Sequence, residues 1–137
     1  MARDRSPWNK VWMDVAKAIS ERSYDPRLNV GAIIVTGDNT QVLSVGYNGN
    51  YRSGPHEHES TQPGKSGFLH AEVNALIKAD YNTYKQKHMY ITHSPCRDCA
   101  KLIINANIDL VCYGEEYRDT SGLELLKSVG ITVIHYQ

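Results

Sequence analysis

Two short stretches hold residue types that can do chemistry together: His70-Ala71-Glu72 and Pro95-Cys96-Arg97-Asp98-Cys99. Zinc favours thiolate and imidazole donors, and His70, Cys96 and Cys99 offer three. A C-x-x-C spacing at the start of a helix points both sulfurs at one ion. The positive end of that helix favours the thiolate form. Three protein ligands leave a tetrahedral ion one position for water, whose pKa then falls toward neutrality. Glu72, two residues from His70, is placed to take a proton from that water and pass it on. Alone, C-x-x-C also serves structural zinc sites and redox pairs, and H-x-E occurs by chance. A structural zinc needs a fourth ligand, and the only other cysteine, Cys112, sits mid-strand in Val111-Cys112-Tyr113, where it reads as a small buried hydrophobe.

Rigid elements must position these groups. Residues 8–22 read as a helix, with Val11, Val15 and Ile19 at steps of four and Trp12 and Ala16 beside them. Asp25-Pro26 ends it. The β-branched run 30–35 reads as a strand, Gly37-Asp38-Asn39 as a turn, and 41–46 as the second strand of a hairpin. The polar stretch 47–67 is a long loop of the kind that is usually functional or mobile. Residues 70–79 form a helix with a stripe at Val73, Leu76 and Ile77, and 89–92 form a strand. The helix over 96–106 faces inward through Leu102, Ile103 and Ala106, and 110–113 form another strand. A helix over 121–129 closes at Gly130, before a last strand over 131–136. This order predicts one α/β domain over 1–137, a three-layer α/β/α fold whose five-stranded mixed sheet carries helices on both faces. Both motifs then converge at the sheet edge where open α/β folds bind ligands.

Composition narrows the partners. With 15 Lys plus Arg against 15 Asp plus Glu, the formal net charge is zero, which argues against a nucleic-acid partner. A small phosphorylated ligand needs only a few local cations. Three cysteines do not suit a disulfide framework and fit a reducing compartment. Met1-Ala2-Arg3-Asp4-Arg5 leads into no apolar signal region, and the apolar runs fall short of a membrane span. The expectation is a cytoplasmic protein with no membrane partner.

H-x-E followed by P-C-x-x-C is the signature of zinc deaminases. Over residues 8–136 the sequence resembles the deoxycytidylate (dCMP) deaminases, and the short phage-encoded members look closest in length. The resemblance rests on Ser23-Tyr24-Asp25-Pro26, Val30-Gly31-Ala32, Gly46-Tyr47-Asn48-Gly49, the stretch HAEVNAL from His70, Ser94-Pro95-Cys96-Arg97-Asp98-Cys99-Ala100-Lys101, and Tyr117-Arg118-Asp119. It implies a cytidine-deaminase-like fold and zinc held by His70, Cys96 and Cys99, with Glu72 as proton shuttle. It implies hydrolysis of dCMP to dUMP and ammonia, supplying dUMP for thymidylate synthesis. Asn48 would touch the sugar, the Ser94 backbone would accept from the departing amine, and Asn74 would stand on the substrate side. It further implies a homohexamer activated by dCTP and inhibited by dTTP with Mg2+, the loop 47–67 and a neighbouring subunit forming the effector surface. Where the family usually has Pro two residues after the second Gly of G-Y-N-G, Gly49 is followed by Asn50-Tyr51-Arg52. A tRNA adenosine deaminase-like enzyme, which usually lacks Asn at Asn74, and a non-catalytic zinc module are the alternatives.

A 5′-phosphate calls for nearby cations, and Arg27, Arg52, Lys65 and Arg118 are the candidates, each readable also as a solvated surface charge. Tyr117 suits stacking on a base or simple packing at a strand end. His56-Glu57-His58-Glu59 reads as a second metal site or as a solvated polar loop. His93, close to Cys96 in sequence, is expected to line the pocket; His88 and His135 read as structural.

Overall fold

A strand buried on both faces forms the centre of the molecule. In the computed structural model, which describes residues 2–62 and 65–137, the chain runs α1 (Trp8–Ser20), β1 (Gly31–Thr36), β2 (Val42–Tyr47), α2 (Ala71–Lys78), β3 (Lys87–His93), α3 (Arg97–Asn105), β4 (Leu110–Glu115), α4 (Ser121–Ser128) and β5 (Thr132–His135). Met1, with which the N-terminal reading began, and residues 63 and 64 of the long loop lie outside the described residues. The strand order is β2-β1-β3-β4-β5. β1 is antiparallel to both its neighbours, whereas β3, β4 and β5 run parallel, so the sheet is mixed as expected.

Every residue of β1 is buried. Because side chains alternate along a strand, Ala32 and Ile34 join one core cluster and Ile33 and Val35 the other. The first cluster takes in Ala71, Ala75 and Leu76 of α2, Ala100 and Ile103 of α3, and Leu126 of α4; the second takes in Trp12, Met13 and Ala16 of α1. Three layers result, with α1 on one face of the sheet and the other three helices on the opposite face. Each fully buried Ile or Met contributes about 1.5–3 kcal/mol relative to exposure.

The inward helix faces match the apolar spacing at Leu76 and Ile103, both buried, and differ from it elsewhere. Ile77 is 70% exposed and Leu102 46%, while Ala71, Ala75 and Ala100 are fully buried. Helix α2 lies so close to β2 that a Cβ on Gly46 would collide with the Ala71 carbonyl oxygen and the Ala75 amide nitrogen. Beneath Ala71 and Ala75 only small side chains fit, whereas Leu76, as expected, is buried and Ile77 turns outward. In α1 the buried residues are Trp12, Met13 and Ala16, and the stripe Val11, Val15 and Ile19 forms its half-buried flank. Strands β3 and β4 outrun the expected 89–92 and 110–113 because their pairing continues to His93 opposite Glu115. Gly130, at φ +90°, closes α4 as expected.

Candidate active site

Parallel strands β3 and β4 end at one edge of the sheet, where antiparallel β1 begins and β2 ends. The chain leaves β3 through Ser94 and Pro95 into α3, leaves β4 toward Tyr117, and leaves β2 at Asn48. A two-way backbone bridge between Gly49 and Leu69 (3.0 and 2.7 Å) ties the two ends of the long loop together, and so delivers His70, at the start of α2, to the same edge. Asn74 donates to the Tyr47 carbonyl at 2.9 Å and holds α2 against β2.

His70 Nδ1 lies 3.2 Å from Cys99 Sγ and 3.6 Å from Cys96 Sγ. His70, Cys96 and Cys99 are the group whose ligand atoms all lie within 4.8 Å of one another among the described residues. Nitrogen and sulfur ligands on one tetrahedral zinc lie roughly 3.6 Å apart, from bond lengths of about 2.1 and 2.3 Å, so this donor set fits that ion in chemistry and in size. Cys96 is the N-cap of α3 and its sulfur accepts from the Cys99 amide at 3.4 Å. A hydrogen bond from the Cys99 thiol, aided by the His70 ring, brings the Cys96 thiol down to about 4, so it stands as thiolate. Cys99, donating to Cys96, keeps its proton far more firmly than an ordinary thiol. The bond to Cys96 likewise raises His70.

Beside this cradle opens a cavity of about 530 Å3 lined by Asp25, Arg27, Asn48, Phe68, His70, Glu72, Ser94, Cys96, Tyr117 and Arg118, among others. Glu72 is 4% exposed, and burial pushes its carboxyl above the ordinary carboxylate range. A carboxyl so raised holds a proton more readily than a surface glutamate, as a group that both takes and gives one must. Ser94 is fully buried; its hydroxyl accepts from the Tyr117 amide at 2.9 Å, and its own amide donates to the Glu115 carbonyl at 2.8 Å.

The residues singled out in the sequence divide into those at the pocket and those elsewhere. The pocket contains His70, Glu72, Cys96, Asn48, Ser94, Tyr117, Arg27 and Arg118 in its wall, and Cys99 in the adjoining cradle. Asn74, Arg52 and Lys65 are not among its lining residues, and neither is His93. His93 instead stands behind the wall, stacked on Tyr117 with ring centroids 5.6 Å apart and bonded to Thr92 and Glu115. The amide of Asn48 is already engaged by the protein: Oδ1 accepts from Val30, and Nδ2 donates to the Leu28 carbonyl and to Asp25. No second metal cluster involves His56 or His58 among the described residues. His56 stacks on Tyr24, and His58 packs edge-on against Phe68 and bonds to Asp25. Sequence reasoning gave no role to Asp25 or Phe68, although Asp25-Pro26 was noticed as a helix stop.

A mixed α/β sheet presenting two cysteines and one histidine beside a buried glutamate, next to a pocket at the sheet edge, is the architecture of a zinc-dependent deaminase. The family model described as cytidine and deoxycytidylate deaminase zinc-binding region matches residues 6–115. The chain is 33% identical to ComE operon protein 2 of Bacillus subtilis, over 95% of this chain and 71% of that protein, and 31% identical to human deoxycytidylate deaminase, over 94% and 79%. Among solved structures it is similar to the dCMP deaminase of cyanophage S-TIM5 in complex with dCMP and dUMP, with 36% identity, a TM-score of 0.79, and 98% of this chain and all of that one covered. The chain therefore belongs to the cytidine and deoxycytidylate deaminase family of zinc-binding hydrolytic enzymes. Among the described residues, no helix is long and apolar enough to cross a membrane.

Proposed function

We propose that this enzyme converts dCMP and water to dUMP and ammonia. The observation that carries the reading is one pocket whose wall joins a buried Glu72 and a His-Cys-Cys cradle to two arginines, Arg27 and Arg118. A pyrimidine ring fits beside the carboxyl, and a 5′-phosphate toward the guanidinium groups. Similarity to deaminases of dCMP supports the substrate.

His70, Cys96 and Cys99 would hold zinc, which when bound supplies a Lewis-acidic position that lowers the pKa of water. Glu72 takes a proton from the attacking water and delivers it to ring N3 as the new C–O bond forms at C4. It then passes the second water proton to the exocyclic nitrogen, so that the C4–N bond breaks with ammonia as leaving group and a carbonyl remains. The Ser94 backbone carbonyl orients the amino group, and Tyr117 presents its ring to the base. Asn48, its amide hydrogens engaged by Leu28 and Asp25, has lone-pair capacity on Oδ1 to offer a sugar hydroxyl.

The test is an end-point assay in which zinc-loaded protein is incubated separately with dCMP, dCTP, deoxycytidine and CMP. Conversion of dCMP far ahead of the others is expected. Conversion of none, with dCTP and Mg2+ also tried as activators, overturns the reading.

Self-association and control by nucleotides are inferred further, from the family resemblance carried by the sequence motifs. We infer a homo-oligomer, a hexamer by the family resemblance, built in part on the exposed apolar surface of Ile77, Tyr81 and Leu102. dCTP would activate and dTTP would inhibit, each with Mg2+. Identical dCMP saturation curves with and without these effectors would remove the regulatory part.

A further inference from the structure

The stretch His56-Glu57-His58-Glu59 was readable as a metal site or as solvated loop, and the structure gives His58 neither place. Its side chain is 12% exposed and bridges two residues of the pocket wall. His58 Nε2 lies 2.8 Å from Asp25 Oδ1, and His58 Nδ1 lies 2.8 Å from an Arg27 terminal nitrogen. A guanidinium has only donors, so Nδ1 of His58 must accept, which places the ring hydrogen on Nε2, pointing at the carboxylate. The imidazole is therefore oriented by Asp25 and in turn orients Arg27. Asp25 is itself fixed: Oδ1 also accepts the amides of Arg27 (2.8 Å) and Leu28 (3.3 Å), and Oδ2 accepts from Asn48. The edge of Phe68 closes on the His58 ring from another side. A second Arg27 nitrogen donates to the Thr61 carbonyl at 3.2 Å, so the loop grips the guanidinium at two points.

We propose that His58 is a positioning residue for the substrate phosphate: relayed from Asp25, it holds the Arg27 guanidinium toward the pocket so that its remaining N–H groups meet the phosphate oxygens. This rests on the reading that the substrate carries a 5′-phosphate. An arginine on an exposed stem loses side-chain freedom when it binds an anion, and a partner that has already removed that freedom strengthens binding without touching the ligand. The effect belongs in KM and not in the chemical step, because His58 touches neither the ring nor the metal cradle.

The test uses full-length, zinc-loaded protein with dCMP as substrate, comparing wild type, Arg27→Ala, His58→Ala, His58→Asn and the double variant Arg27→Ala/His58→Ala. The expected result is a KM raised on the order of tenfold by His58→Ala and at least as much by Arg27→Ala, with kcat kept within roughly twofold in each. The double variant should be no worse than Arg27→Ala, because His58 acts through that arginine. His58→Asn, which retains an acceptor near the Nδ1 position, should restore much of the lost affinity, and it keeps the test decisive if His58→Ala does not fold. An unchanged KM in His58→Ala, additive effects in the double variant, or a fall confined to kcat would each overturn the assignment. Wild-type protein that turns over deoxycytidine as readily as dCMP would overturn the phosphate reading itself; phosphate dependence with an indifferent His58 would overturn the positioning role alone.

Discussion

Gly122, at the start of α4, lies so close to the Pro95 carbonyl oxygen that a Cβ there would collide with it, and would also press on the Cys96 backbone. Helix α4 is thus the backstop of the ligand loop, and only glycine permits the approach. Gly122→Ala is expected to cost about 1–3 kcal/mol of stability by overpacking. It should also displace Cys96, so that zinc is stripped by a chelator at lower concentration than from wild type. A melting curve and a chelator titration measure the two; an unchanged result in both would show that the loop yields without harm.

Glu72 lines the pocket beside the three metal donors and is not one of them. Glu72→Ala is expected to keep zinc and fold while lowering kcat by about 10²–10⁴-fold, the usual span of positioned proton transfer. Cys96→Ala should lose zinc and turnover together. Metal content measured beside activity separates the two cases, and retained turnover in the Glu72 variant would end the proposed mechanism.

What was legible in the sequence was local. The two motifs, the alternation of helices and strands, and the turns at Asn39 and Gly130, both with positive φ, depend on neighbours in the chain. Less legible was whatever depends on how closely elements approach. Ile77 is a better hydrophobe than Ala75, yet the close approach of α2 to β2 at Gly46 buries the alanine, and in α3 Ala100 is likewise buried while Leu102 is exposed. Pocket membership posed the same difficulty. Arg27 and Arg52 look alike in sequence, but only Arg27 is turned to the cavity, through contacts with His58 and Thr61 that lie 31 and 34 residues away. The family resemblance put Asn74 on the substrate side, whereas its amide, one helical turn after His70, reaches the end of β2.

His88 supplies a test of stability against pH. Burial lowers its pKa from 6.5, with Asp109 opposing, so the folded protein binds this proton more weakly than the unfolded chain does. At this site the unfolded state therefore carries more protons below pH 6.5, and the His88 contribution to stability rises with pH through that window and is fully present above it. Burial lowers His93 in the same direction. Chemical denaturation at intervals from pH 7 to pH 5 should show His88→Gln losing less stability toward acid than wild type, the raised His70 and Glu72, which act in the opposite sense, being common to both proteins. A variant with the wild-type slope would show that His88 titrates alike in both states.

Tyr117 lines the pocket, and its ring stacks on His93. Burial raises its hydroxyl far above the ordinary tyrosine value, so the ring meets substrate uncharged at any working pH. Its amide is fixed to Ser94, which holds the backbone in place whatever side chain is present. If the ring acts by stacking, the hydroxyl is dispensable and the aromatic face is not. Tyr117→Phe should keep dCMP turnover within roughly twofold of wild type. Tyr117→Ala should weaken binding by about 1–3 kcal/mol, read as a KM raised roughly 5- to 150-fold. Equal losses in the two variants would assign the work to the hydroxyl instead, because phenylalanine retains all of the stacking surface and none of the hydrogen bonding.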